Sequence, residues 1–159
     1  MMVLLTLVVI VALIVAGLVA FTARTARKIE AAFPPPGQFM EIDGQRIHYV
    51  DRGQGPAIVM IHGLGGNLGN FTYALVDRLA KDFRVVAIDR PGAGHSTRPK
   101  HASAALGAQA ATLATLMRAL KLEKPLLVGH SLGGALSLTL AVHHADCIGA
   151  LTLDRKSVV

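Results

Sequence analysis

The chain has 159 residues, with 16 Lys and Arg against 10 Asp and Glu, and a net charge of +6 that is scattered along the sequence. This length allows one small domain, and the scattered charge does not favour a nucleic-acid partner. A single cysteine, Cys147, excludes a disulfide scaffold, and no Cys/His spacing is typical of a zinc site. We expect neither a metal nor another cofactor.

An uncharged apolar segment at residues 2–21 opens the chain. About 20 apolar residues suffice for a helix to cross a bilayer, so this segment is long enough to be a transmembrane anchor. No Lys or Arg precedes it, whereas Arg24, Arg27 and Lys28 follow it. This order favours an uncleaved anchor over a cleaved signal peptide and predicts that the following domain faces the cytoplasm. We therefore expect a single-pass membrane protein held in the lipid bilayer.

Residues 22–37 predict a basic, Pro-rich stalk, because Pro34, Pro35 and Pro36 cannot continue a helix. A folded domain is expected over residues 38–153. Its first part, residues 39–50, predicts two antiparallel strands around the turn at Asp43 and Gly44.

Three mostly apolar runs follow, the first of them continuous, and each leads into a Gly-containing loop. Such runs are typical of strands buried on both faces. The runs are residues 57–61, 83–88 and 125–128, with a fourth strand at 150–153, and helical spacing occurs at 71–80, at 103–120 and from the third loop to about residue 144. Strands that alternate with helices predict an α/β fold with a mostly parallel sheet and helices on both faces.

The candidate nucleophile is Ser131, within the Gly-His-Ser-Leu-Gly motif at 129–133. This G-x-S-x-G pattern lies between a buried strand and a helix, where a sharp turn would expose the serine hydroxyl. Gly129 and Gly133 would be required because a β-carbon at either position would collide with a neighbouring backbone. The alternative is a serine that only caps the helix.

Acyl transfer also needs hydrogen-bond donors for the oxyanion. One would be the backbone N–H of Leu132, directly after the serine, and the other that of Leu64, in the Gly-rich loop after the first apolar run. His62, which opens this loop, is expected to be a packed loop residue.

These two motifs and the segment Asp-Arg-Pro-Gly-Ala-Gly-His-Ser at 89–96 resemble the α/β-hydrolase superfamily. The resemblance implies a mostly parallel eight-stranded sheet, a triad in the chain order Ser, Asp or Glu, His, and ester-like small-molecule substrates. It carries the nucleophile over to Ser131 and the oxyanion donors to Leu64 and Leu132. A serine at this position is unlike the aspartate of the haloalkane dehalogenases and epoxide hydrolases in the superfamily.

The base of such a triad is not found after Ser131. The only later histidines, His143 and His144, lie on the helix that leaves the motif, about 18 Å along its axis, which is too far for a hydrogen bond. His130 is expected to pack beneath the turn, and His95 lies on a loop suited to a substrate contact rather than to a triad role.

Asp154 follows the fourth parallel strand, where some members of the superfamily keep the acid and others a structural residue. Residues 154–159 resemble the translated read-through of a sequencing-library adapter. We therefore expect the N-terminal half of a hydrolase, without the triad acid and histidine and inactive as written, followed by an artefactual tail.

Two other functions are compatible with parts of the sequence. Gly63 and Gly65 after a strand, with Asp89 at the end of the next, suggest a dinucleotide-binding oxidoreductase, although Leu68 replaces the third glycine of that fingerprint. A membrane-tethered interaction module with the same fold and a non-catalytic serine stays open, because a fold does not by itself determine chemistry.

Overall fold

A computed structural model describes residues 2–32 and 34–154, in two compact units that divide after Pro36. The first unit is helix α1 (Met2–Ala32). Its stretch Met2–Ile29 has a mean hydropathy of 3.2 and buries none of its most apolar window, so by length and composition it is able to cross a membrane. A signal sequence has the same properties. The helix continues through most of the segment predicted as a stalk, and Phe33 lies outside the described residues.

The second unit is built on a six-stranded sheet with the order β1-β2-β4-β3-β5-β6. Strands β1 and β2 are antiparallel to their neighbours, and β4, β3, β5 and β6 are mutually parallel. The strands are β1 (Gln38–Ile42), β2 (Gln45–Arg52), β3 (Ala57–Ile61), β4 (Arg84–Ile88), β5 (Leu126–His130) and β6 (Ala150–Asp154); the helices are α2 (Gly69–Thr72), α3 (Leu75–Leu79), α4 (Leu106–Ala119), α5 (Leu132–His143) and a 3-10 turn at Ala145–Cys147.

Both faces of the sheet are covered, as the apolar runs predicted. Alternate residues of one strand enter opposite clusters: Val59 and Ile61 of β3 pack with α4 and α5, whereas Ile58 and Met60 pack with α2 and α3. The predicted α/β class with a mostly parallel sheet is confirmed.

The single helix predicted over residues 71–80 is wrong, because the structure has the two short helices α2 and α3 there. Phe71 and Val76 are both buried in the same cluster. On one continuous helix they would lie about 140° apart, so the break near Ala74 lets both face the sheet.

Two strands at the centre of the candidate site are longer than predicted. Strand β5 continues through Gly129 to His130, and β6 ends at Asp154, which pairs with His130 in parallel register. The first residue of the predicted artefactual tail therefore belongs to the sheet, and residues 155–159 lie outside the described residues.

Candidate active site

Ser131 occupies the sharp turn between β5 and α5. Its backbone has φ 52 and ψ −117, a combination that residues other than glycine rarely adopt. The residue is exposed, and its hydroxyl neither caps α5 nor forms a hydrogen bond with any residue of the described ranges. The Ser131 side chain therefore does not cap α5, although the residue stands at its N-cap position, and the hydroxyl is available to a ligand.

The two glycines of the motif stand where other backbone segments approach closely. A β-carbon on Gly129 would lie 2.6 Å from both the Gly133 carbonyl oxygen and the Gly134 Cα, and one on Gly133 would overlap the Ile61 carbonyl oxygen. The first turn of α5 thus packs directly against the ends of β5 and β3, as the motif predicted.

The loop after β3 borders Ser131. A β-carbon placed on Gly63 would lie only 3.1 Å from the Ser131 Cβ. Next in this loop, Leu64 has 82% of its surface exposed, and Gly65 takes φ 69. Leu64 and Leu132 line one cavity of about 500 Å³, together with Arg90, Arg98 and Gln109. The two residues predicted as oxyanion donors therefore line the same cavity.

His62 is fully buried, in agreement with the prediction of a packed loop residue. Its Nε2 accepts the backbone N–H of Arg90 at 3.1 Å, so its Nδ1 carries the proton and donates to the Gly63 carbonyl oxygen at 2.8 Å. Burial is the main cause that lowers the pKa of His62. His62 is thus a neutral residue that shapes the loop.

Arg90 is the functional candidate that the sequence analysis missed. Its Nε donates to the His62 carbonyl oxygen at 2.9 Å and its Nη2 to the Gly63 carbonyl oxygen at 3.0 Å, while Nη1 reaches Gln109 at 3.4 Å. Burial lowers the pKa of this guanidinium. The sequence feature that could have identified Arg90 is its position directly after a buried strand, in a loop rich in Pro and Gly.

Asp89 is buried and stabilises the backbone rather than a ligand. Its carboxylate accepts the N–H of Leu68 at 2.7 Å and that of His95 at 2.8 Å, and it lies 2.7 Å from His48 Nδ1. A ribose hydroxyl cannot reach this carboxylate. The dinucleotide-binding alternative therefore loses the acidic group that it required. The sequence analysis also missed that His48, a polar residue on β2, contacts the Asp89 carboxylate.

The remaining histidines lie elsewhere. His130 does not pack beneath the turn as predicted, because its side chain is part exposed and its Nδ1 is 3.0 Å from the Asp154 carboxylate. Since β6 runs parallel to β5, it brings Asp154 beside His130. His95 packs edge-on against His48 and is exposed. His143 ends α5 and His144 follows it, both remote from Ser131.

Comparison with known proteins identifies this fold. The sequence model of the alpha/beta hydrolase fold family matches residues 56–156, well over half of the chain. The chain belongs to the alpha/beta hydrolase fold family. The order of the sheet and the strand, serine and helix arrangement agree with this alpha/beta hydrolase assignment.

Several alpha/beta hydrolase relatives share this region. The chain is 42% identical over 106 residues to the dihydrolipoyllysine-residue acetyltransferase component of the acetoin cleaving system of Cupriavidus necator, which covers 66% of the chain and 28% of that protein. It is 36% identical over 114 residues to the pimeloyl-(acyl-carrier protein) methyl ester esterase of Vibrio vulnificus, covering 70% and 41% respectively.

Among solved structures, Cfl2 from Burkholderia cenocepacia superposes with a TM-score of 0.70 at 30% identity, over 74% of this chain and 40% of that one. The chain thus spans less than half the length of each of these relatives.

Proposed function

We propose that the protein is a serine hydrolase of ester-like substrates, in which Ser131 is the nucleophile and the backbone N–H groups of Leu64 and Leu132 bind the oxyanion. The observation that carries this proposal is the exposed Ser131 hydroxyl, held by a backbone with φ 52 between β5 and α5 and bordered by the Gly63 loop. The esterase relative acts on a methyl ester, and it supports a carboxylic ester as substrate class.

In the proposed reaction, Ser131 Oγ forms a bond to the ester carbonyl carbon while a base takes the hydroxyl proton. The carbonyl oxygen becomes an anion that the two N–H groups stabilise. The bond to the alcohol then breaks, the alcohol leaves with the proton, and water hydrolyses the acyl-serine.

The base and its acid are proposed to lie outside the described residues. In the ranges 2–32 and 34–154, the Ser131 hydroxyl has no histidine partner, and the relatives are more than twice as long as the matched region. Without a base the hydroxyl stays protonated at pH 7, so the 159-residue chain alone is proposed to be inactive.

The first experiment compares two serine variants in the product of the whole gene, with any coding sequence after residue 159 retained. Ser131→Ala should reduce hydrolysis of p-nitrophenyl acetate to background, a loss on the order of 10⁴-fold or more, and abolish labelling by a fluorophosphonate. The matched control is Ser103→Ala, which removes an exposed hydroxyl that only accepts the Ala105 N–H. This variant should keep both the hydrolysis of the ester and the labelling by the fluorophosphonate.

Two results would contradict the proposal. Turnover that is indifferent to Ser131→Ala would exclude Ser131 as the nucleophile. A folded whole-gene product with neither turnover nor labelling would instead favour the tethered, non-catalytic module.

A further inference from the structure

Arg90 is a buried cation without a carboxylate partner. Only 5% of the residue is exposed, and among the described residues no ion pair joins its guanidinium to an acid. The neighbouring Asp89 carboxylate is bonded instead to backbone N–H groups and to His48. Because an unpaired buried charge is costly, its presence at the edge of the candidate site calls for a reason.

The guanidinium binds two consecutive carbonyl groups of the loop after β3. It donates to the His62 carbonyl oxygen at 2.9 Å and to the Gly63 carbonyl oxygen at 3.0 Å. The planar arrangement of its N–H groups restricts both peptide groups at once, which a lysine could not do with one nitrogen. The His62 ring adds a further donor to the Gly63 oxygen at 2.8 Å.

These contacts determine where the Leu64 N–H points. The peptide between Gly63 and Leu64 is trans, and in a planar trans peptide the C=O and N–H bonds point in opposite directions. Arg90 and His62 hold the Gly63 oxygen at 3.0 and 2.8 Å, with a longer contact of 3.4 Å from the Gly66 N–H, so the Leu64 N–H faces the other side. The positive guanidinium that is hydrogen-bonded to this oxygen also polarises the peptide and strengthens its N–H as a donor.

We propose that Arg90 is a positioning residue for the oxyanion: it orients the Leu64 N–H and places its charge behind that peptide group as negative charge develops. This inference rests on the proposed function. An interaction that strengthens only as the oxyanion forms stabilises the transition state more than bound substrate, so its loss lowers kcat rather than raising KM.

The test measures kcat and KM for p-nitrophenyl acetate in the whole-gene product carrying Arg90→Gln or Arg90→Lys. We expect kcat to fall about 10- to 100-fold in Arg90→Gln, with KM changed less than about threefold. The affinity for an alkylboronic acid, whose tetrahedral serine adduct places an oxygen where the oxyanion forms, should fall in parallel.

The matched control is Arg84→Gln. Arg84 stands at the opposite end of β4, where it binds Asp51 at 2.7 Å and the Leu120 carbonyl oxygen at 3.1 Å. Its loss should lower the melting temperature and leave kcat unchanged, which separates a general loss of stability from an effect on the oxyanion.

The outcomes distinguish the two proposals. If Ser131→Ala abolishes turnover but a folded Arg90→Gln variant has the wild-type kcat and boronate affinity, the role of Arg90 is refuted and the serine hydrolase stands. If Ser131→Ala is active, the proposed function itself fails. Should Arg90→Gln not fold, Arg90→Lys decides: at least about a fivefold loss of kcat is expected, and an unchanged kcat overturns the inference.

Discussion

At the scale of single residues, the loop beside Ser131 depends on the protonation state of His62. The ring nitrogen Nε2 accepts an N–H from Arg90, and it can do so only when His62 is neutral. Protonation would replace this acceptor by a donor, next to the buried Arg90 guanidinium and far from water. Burial, the largest effect, and the Arg90 charge lower the pKa of His62, and together they outweigh the Gly63 hydrogen bond and the Asp89 charge, which raise it.

This lowered pKa predicts a pH-dependent stability. The unfolded chain binds a proton at His62 below about pH 6.5 and the folded chain does so only at lower pH, so the contribution is fully present above that pH. As the pH falls below 6.5, the free energy of unfolding should decrease, by at most about 1.4 kcal/mol per pH unit from this group. Urea unfolding between pH 7.5 and 4.5 measures it.

The control for this prediction replaces His101, which is exposed. His62→Gln should flatten the pH dependence of the free energy of unfolding below pH 6.5, whereas His101→Gln should leave it as in the wild type. Equal slopes for wild type and His62→Gln would show that the proton uptake occurs elsewhere.

At the scale of secondary-structure elements, the position of helix α5 decides where Ser131 stands. Its first turn contacts the ends of two strands, because Gly133 has no side chain to separate it from the Ile61 carbonyl. In contrast, Gly107 in the first turn of α4 has no atom within 4 Å of the position a β-carbon would take. These two helical glycines form a matched pair.

The pair predicts opposite effects of the same substitution. Gly133→Ala should lower the free energy of unfolding by about 1–3 kcal/mol, since α5 must move from β3, and it should also abolish fluorophosphonate labelling in the whole-gene product. Gly107→Ala should raise the free energy of unfolding by up to about 1 kcal/mol, because alanine favours a helix more than glycine does. Thermal unfolding followed by circular dichroism checks both signs. A neutral Gly133→Ala would contradict the close packing of α5.

At the scale of the whole molecule, two units of different character share one chain. The first, helix α1, exposes nearly all its apolar side chains, whereas the second buries its own around a sheet. Exposed apolar surface of this extent is unfavourable in water, and a bilayer would cover it. We accordingly propose that α1 anchors the hydrolase unit to a membrane.

A fractionation experiment tests this proposal. The full chain should remain in the membrane pellet after an alkaline carbonate wash, whereas a chain that begins at Gln38 should not. With Arg24, Arg27 and Lys28 on the cytoplasmic side, protease should digest the domain in inverted vesicles but not in intact spheroplasts. A full chain that carbonate extracts, or a mature protein shortened at its N-terminus, would refute the anchor.

Much of the fold could be predicted because its turns and strands depend on residues that are close together in the sequence. The turn at Asp43 and Gly44 is one example: both residues take positive φ, 49 and 73, as a tight hairpin turn between β1 and β2 demands. The apolar runs predicted buried parallel strands, because a strand that is covered on both faces carries apolar side chains on both of them. The break between α2 and α3 was missed because packing of Phe71 and Val76 on one cluster overrides helical spacing.

The sequence by itself determined the chain of apolar strands and helices, the apolar N-terminal segment and the motif around Ser131, because each depends on residues close together in the chain. Tertiary structure alone decided which groups meet. Arg90 reaches the carbonyls of His62 and Gly63 only because β3 and β4 are parallel neighbours whose carboxyl ends lie at one edge of the sheet. His130 meets Asp154 only through the register of β5 and β6. Contacts between residues far apart in sequence arise from the pairing of strands, and no local pattern records them.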